Sequence, residues 1–141
     1  MDAIDSEIIA ILATDGRASF SALGRTIGLS TNAVGARIRK LETAGVIIGY
    51  RAVLAAENVP GGGIEAFVDV RLRPDQDGHE FLAWATKDAA INDAVHVTGP
   101  YDYLLHIRVR DTADLDRLLR TLKATAGAAQ TQTRIALRSS R

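Results

Sequence analysis

The chain has 141 residues, enough for one or two small domains, and its seventeen basic residues balance seventeen acidic ones. Zero net charge argues against a protein that coats DNA indiscriminately, while leaving room for local basic segments. The lack of cysteine excludes a disulfide framework, thiolate-held zinc and a cysteine nucleophile; no apolar run reaches the length of a membrane span, and the acidic start MDAIDSEII is no signal peptide. The expectation is a cytoplasmic protein with no membrane partner.

Residues 3 to 14 read as a helix capped by Asp2 or Asp5, with Ile4, Ile8, Ile11 and Leu12 on one stripe and Asp15-Gly16 as its end. A second helix runs from about Ser21 to Ile27, with Leu23 and Ile27 as its stripe and Gly24 small enough to let a neighbouring helix cross closely. Gly28 suits a turn residue of positive φ, and Ser30 suits an N-cap whose hydroxyl accepts from free backbone N–H groups. Val34, Ile38 and Leu41 then recur at helical spacing, and Gly45 closes the third helix as a C′ glycine. Two helices joined by such a turn form the helix-turn-helix pattern, whose second helix enters the DNA major groove.

The other face of that third helix carries the chemistry. Thr31, Asn32, Gly35, Ala36 and Arg39 point away from the stripe, with Arg37 and Lys40 on its flanks. Asn and Arg side chains pair bidentately with adenine and guanine edges. From Gly16 through Leu41 there are five basic residues and no acidic one, the footprint that a phosphate backbone requires. The candidate DNA-contacting set is Arg25, Ser30, Thr31, Asn32, Gly35, Arg37, Arg39 and Lys40. For any single basic residue a merely solvated surface is the plainer alternative; the combination points to double-stranded DNA as a partner.

VIIGYRAVL, residues 46 to 54, is a short strand or hairpin wing, or else the linker leaving the domain. ENVPGGG, residues 57 to 63, breaks regular structure. The division is therefore residues 1–50 as a winged helix-turn-helix, 51–63 as a linker and 64–141 as a second domain.

That second domain opens on IEAFVDVRLR, residues 64 to 73, which alternates strictly and so forms a strand with two unlike faces. Pro74-Asp75 turns the chain into a helix over 77–88, with Phe81, Leu82, Trp84 and Ala85 on its apolar side. Strands follow at 91–98 and 102–110 around Gly99-Pro100-Tyr101. A helix capped by Asp111 or Thr112 carries Leu115, Leu118, Leu119 and Leu122 up to Gly127, and a last strand covers about 129–138. The order βαββαβ is the ferredoxin-like arrangement, giving an α+β protein overall. The sheet face away from the helices would carry Phe67, Asp69, Arg71, His96, Leu104, His106, Arg108, Gln132 and Arg134. Such a half-apolar, uncovered face invites a second copy, so a homodimer through the C-terminal sheet is expected. A dimer also matches the two-fold operators of helix-turn-helix proteins.

In these residues the chain resembles the leucine-responsive and asparagine-regulator (Lrp/AsnC) transcription factors. The resemblance rests on Ile4-Asp5, Asp15-Gly16-Arg17, Leu29-Ser30, Val34, Arg37-Ile38, Leu41-Glu42, Gly45-Val46-Ile47 and Gly49-Tyr50. It continues through Val97-Thr98-Gly99, Asp102-Tyr103-Leu104-Leu105, Arg110-Asp111, Thr131-x-Thr133, Ile135 and Leu137. It implies a DNA-binding regulator, dimeric through its sheets and assembled further into higher oligomers. Its assembly or DNA affinity would respond to an amino acid or related small molecule, with no other cofactor. By analogy the effector candidates are Val97, Thr98, Gly99, Tyr101 and Asp102, with Thr131 and Thr133 from a neighbouring subunit. A glycine turn offers N–H donors to a carboxylate and Asp102 an acceptor for an ammonium; the alternative is a tight hairpin that Asp102 merely caps. The chain departs from the family pattern at Pro60-Gly61-Gly62-Gly63 and at Pro100.

His96 and His106 are expected on adjacent strands with the same orientation, yet buried or interfacial roles suit the three histidines better than a metal. No nucleophile elbow, phosphate-binding glycine loop or paired-histidine motif occurs, so no catalytic residues are assigned and the chain is not read as an enzyme. The competing reading is a metabolite-binding or small-enzyme ferredoxin-like module with a helical dimerisation domain.

Overall fold

The computed structural model describes residues 1–55, 58–60 and 63–138. The chain divides into two compact units, Met1–Val53 and Leu54–Arg141. Of the ENVPGGG segment, Glu57, Gly61 and Gly62 lie outside the described residues.

The first unit is three helices: α1 (Ala3–Thr14), α2 (Phe20–Ile27) and α3 (Thr31–Thr43). Each start has its own side-chain acceptor. Asp2 caps α1 in a reciprocal box with Asp5, Ser19 caps α2, and Ser30 caps α3. Gly28 ends α2 at φ 82° and Gly45 follows α3 at φ 73°, left-handed conformations that a side chain would strain. The stripes converge as expected: Ile8, Leu23, Val34, Ile38 and Leu41 are buried together, with Ile4, Ile11, Leu12 and Ile27 packed around them. Each fully buried aliphatic side chain of this kind contributes about 1.5–3 kcal/mol. Gly24 acts differently from the expectation. A Cβ there would collide with the carbonyl oxygen of Leu29, so it admits the backbone of the turn rather than a crossing helix. Its own carbonyl accepts from the N–H groups of both Gly28 and Leu29.

No strand occurs over residues 44–55. Val46 and Ile47 donate their N–H groups to the Leu41 carbonyl and Tyr50 donates its hydroxyl to Glu42, which ties this segment to the end of α3 instead of pairing it with another strand.

The second unit has the order β1 (Ile64–Leu72), α4 (Gly78–Lys87), β2 (Ile91–His96), β3 (Tyr103–Val109), α5 (Thr112–Ala124) and β4 (Ala128–Ile135). Its strands form one antiparallel sheet in the order β2-β3-β1-β4, the ferredoxin-like topology. Ala66, Val68 and Val70 of β1 and Leu105 and Ile107 of β3 are buried beneath Phe81 and Ala85 of α4 and Leu115, Leu118 and Leu122 of α5. Asp77 and Asp111 cap the two helices.

Two placements on the sheet differ from expectation. A bulge between Ile91 and Asp93 shifts β2, so His96 pairs with Tyr103 and shares its helix-facing side. The two rings stack with centroids 5.0 Å apart. His106 pairs with Phe67 on the opposite side, so the two histidines do not share a face. Val95, paired with Leu104, takes the place on the open face that His96 was expected to hold. Glu65 is also on this face and is buried, the only charged residue so classed among the described ones.

Candidate DNA-reading helix and effector loop

Turn geometry fixes how α3 is presented. Ser30 spends its hydroxyl on the Ala33 N–H at 3.1 Å, so its side chain shapes the helix start. Beyond it Thr31, Asn32, Ala36, Arg39 and Lys40 are exposed, while Val34, Ile38 and Leu41 are buried. Arg25 of α2 is exposed as well and donates to Ser21 at 3.0 Å. The outward residues thus form one polar, cationic strip of the helix surface.

Two of the eight DNA candidates stand elsewhere. Gly35 is buried; a Cβ on it would lie 3.2 Å from the Phe20 ring, so it seats α2 and does not face outward. Of the face inferred from spacing, Thr31, Asn32, Ala36 and Arg39 are exposed, Gly35 drops out and the flanking Lys40 joins. Arg37 turns toward α1, where its Nη1 donates to Asp2 Oδ2 at 2.8 Å and to Asp5 Oδ1 at 2.9 Å. These hydrogen bonds, with that from the Asp5 N–H first among them, hold the Asp2 carboxyl below the usual range.

In the second unit the turn between β2 and β3 is closed by Val97 N–H donating to the Asp102 carbonyl at 2.9 Å. Gly99 takes φ 106°, which only glycine adopts easily. Arg71 fixes the loop from below: its Nε donates to the Pro100 carbonyl at 2.8 Å and its guanidinium lies 5.5 Å from the centre of the Tyr101 ring. Asp102 does not cap its own turn. Its Oδ2 accepts from the Leu72 N–H at 2.8 Å, beside the irregularity of β1 at Arg71/Leu72. Next to this loop is an open recess of about 510 Å³ whose polar lining comes from Arg71, Arg73, Gln76, His96, Asp102 and Tyr103. Thr131 and Thr133 lie on β4, paired with Val70 and Val68, and are half-buried. In one chain β1 stands between them and the loop, so these seven candidates do not converge within a protomer.

The open sheet face holds a cluster that sequence reasoning missed. Glu65, 7% exposed, accepts from Arg138 Nε at 2.6 Å and Nη2 at 2.8 Å, meets His106 Nε2 at 2.7 Å and lies 3.5 Å from Arg108. The Arg138 guanidinium foremost, then His106, hold the Glu65 carboxyl down at about 2 against the opposing effect of burial. The signal available in the sequence was Glu65, one of two acids at the outward alternate positions of β1, opposite the basic stretch of β3 that carries His106 and Arg108.

The profile of the AsnC-type helix-turn-helix domain matches residues 1–42, and that of the Lrp/AsnC ligand binding domain matches residues 65–141. The chain belongs to the Lrp/AsnC family of transcriptional regulators. It is 34% identical over 126 residues to the HTH-type transcriptional regulator LrpA of Mycobacterium tuberculosis, covering 89% of this chain and 83% of that one. It is 38% identical over 123 residues to the leucine-responsive regulatory protein of Haemophilus influenzae, covering 86% and 74%. A solved structure of a transcriptional regulator of Neisseria meningitidis in complex with L-Met superposes with a TM-score of 0.86 at 29% identity, over 100% of this chain and 92% of that one.

As a member of the Lrp/AsnC family the chain is a sequence-specific DNA-binding regulator. The competing reading of a small enzyme falls with that membership, because both halves match domains of transcriptional regulators. No helix among the described residues is long and apolar enough to cross a membrane.

Proposed function

We propose that α3 is the helix this Lrp/AsnC regulator lays in the major groove, with Asn32 and Arg39 reading base edges and Thr31, Lys40 and Arg25 holding phosphates. Ser30 and Gly35 serve by placement, one starting the helix and the other seating it on α2. The observation that carries this is the exposed strip of α3, polar and cationic and free of acidic residues from Thr31 through Lys40. The active unit is a homodimer through the open sheet face, which pairs two reading helices for a two-fold operator. It assembles further into higher oligomers and works in the cytoplasm beside the chromosome.

The same protein senses an amino acid or a chemically similar small molecule at the loop Val97–Asp102. A second copy supplies Thr131 and Thr133. The loop's glycine turn, the adjacent recess and the L-Met complex of the Neisseria meningitidis regulator support this reading. It is tested by titrating the twenty amino acids against the purified protein and sizing the assembly with the best hit. A saturable shift in assembly or DNA affinity that Asp102→Ala abolishes is the expected result. No response to any amino acid would count against it.

A further inference from the structure

The run from Gly16 to Leu41 contains no acid, yet the fold carries two carboxylates to the edge of α3. Asp2 and Asp5 stand beside Arg37, and together with Ala33, Ala36 and Lys40 they line one open recess of about 580 Å³. Ala36 and Lys40 belong to the exposed strip of the reading helix. The acids therefore share an opening with a face that must receive phosphates. Their side chains are 55% and 17% exposed, and a single guanidinium nitrogen, Arg37 Nη1, is bonded to both.

We propose that Arg37 governs DNA affinity through Asp2 and Asp5, as a positioning residue that offsets one of the two carboxylate charges at the rim of the reading helix and pins both acids, and not through a phosphate of its own. This rests on α3 as the reading helix. Like charges facing a phosphate across a short gap repel it, and a guanidinium bonded to both acids cancels about half of that field. The capping box makes the arrangement rigid. Asp5 N–H donates to Asp2 Oδ1 at 2.9 Å and Asp2 N–H to Asp5 Oδ2 at 3.2 Å, so the acids cannot swing away without undoing the start of α1.

The test compares four chains: wild type, Arg37→Ala, Asp2→Asn/Asp5→Asn, and the triple variant. The probe is a duplex that the wild type selects from a random-sequence pool. Asparagine caps helices about as well as aspartate, so α1 keeps its start when the charges are removed. Arg37→Ala is expected to weaken binding about tenfold, and the triple variant to recover most of that loss. A role confined to holding α1 on α3 gives no such recovery, and a direct phosphate contact would instead make the salt slope of Arg37→Ala shallower than that of the wild type by about one phosphate. Asp2→Asn/Asp5→Asn with Arg37 intact is expected to bind more tightly, with a steeper salt dependence by about one phosphate's worth. If Arg37→Ala does not fold, the Asp2→Asn/Asp5→Asn chain decides alone: unchanged or weaker affinity overturns the inference. A triple variant as weak as Arg37→Ala overturns this inference and leaves the reading helix standing. A folded wild type that selects no duplex removes both.

Discussion

Asn32 sits in the first turn of α3, exposed, and among the described residues nothing holds its amide. Its task in the proposed complex is bidentate recognition of an adenine edge, where a good pair discriminates by about 1–3 kcal/mol. Asn32→Ala is therefore expected to lower affinity for the selected duplex by that amount and to relax preference at one base position. Affinity measured across single-base variants of the duplex checks it, and an unchanged base preference counts against the assignment. Glu65 is the other residue with a measurable signature. Its folded carboxyl titrates near 2 against an ordinary value of 4.5, so its contribution is present above about pH 4.5 and lost as pH falls toward 2. Allowing for the exposed Arg138 partner, that contribution is on the order of 2 kcal/mol. Acid unfolding followed in wild type and Glu65→Gln should show the difference between them shrinking across that window. A constant difference from pH 7 to pH 2 contradicts the ion cluster.

At the scale of the element, α3 depends on its start and on its buried stripe. Ser30→Ala removes the acceptor for the Ala33 N–H and is expected to cost about 1 kcal/mol, while Val34→Ala opens a cavity in a fully buried position and costs more, about 2 kcal/mol or above. Thermal unfolding of the two variants checks the order; equal or reversed losses contradict it. These elements were legible in the sequence because their causes are local: capping side chains, turn glycines and period-3.6 stripes. The second unit was legible through strict alternation in β1 and β3. Other features were not, for equally physical reasons. The bulge in β2 moves His96 to the other side of the sheet, and a bulge leaves no mark in an alternating pattern. Helical spacing placed Gly35 outward and Arg37 on a flank; it fixes direction along one helix and says nothing of the α2 ring or α1 carboxylates waiting there. The wing was an open choice between strand and linker, and composition alone does not supply the partner strand that decides it.

For the molecule as a whole, the open sheet face and the reading helix make one proposal, since a two-fold operator needs two helices held in register. Phe67 stacks on His106 at 4.9 Å on that face and does not enter the core beneath the helices. Phe67→Asp should therefore leave the fold intact and shift the protein toward monomer, as sedimentation at fixed concentration will show; an undisturbed dimer with the variant folded places the interface elsewhere. The most direct measurement of the whole account is the salt dependence of duplex binding by wild type and by Arg39→Ala/Lys40→Ala. The wild type should lose affinity steeply and linearly in log–log form, and the double variant should bind more weakly with a slope shallower by about two phosphates. Equal affinity and equal slope in the two proteins would mean that the exposed strip of α3 does not meet DNA.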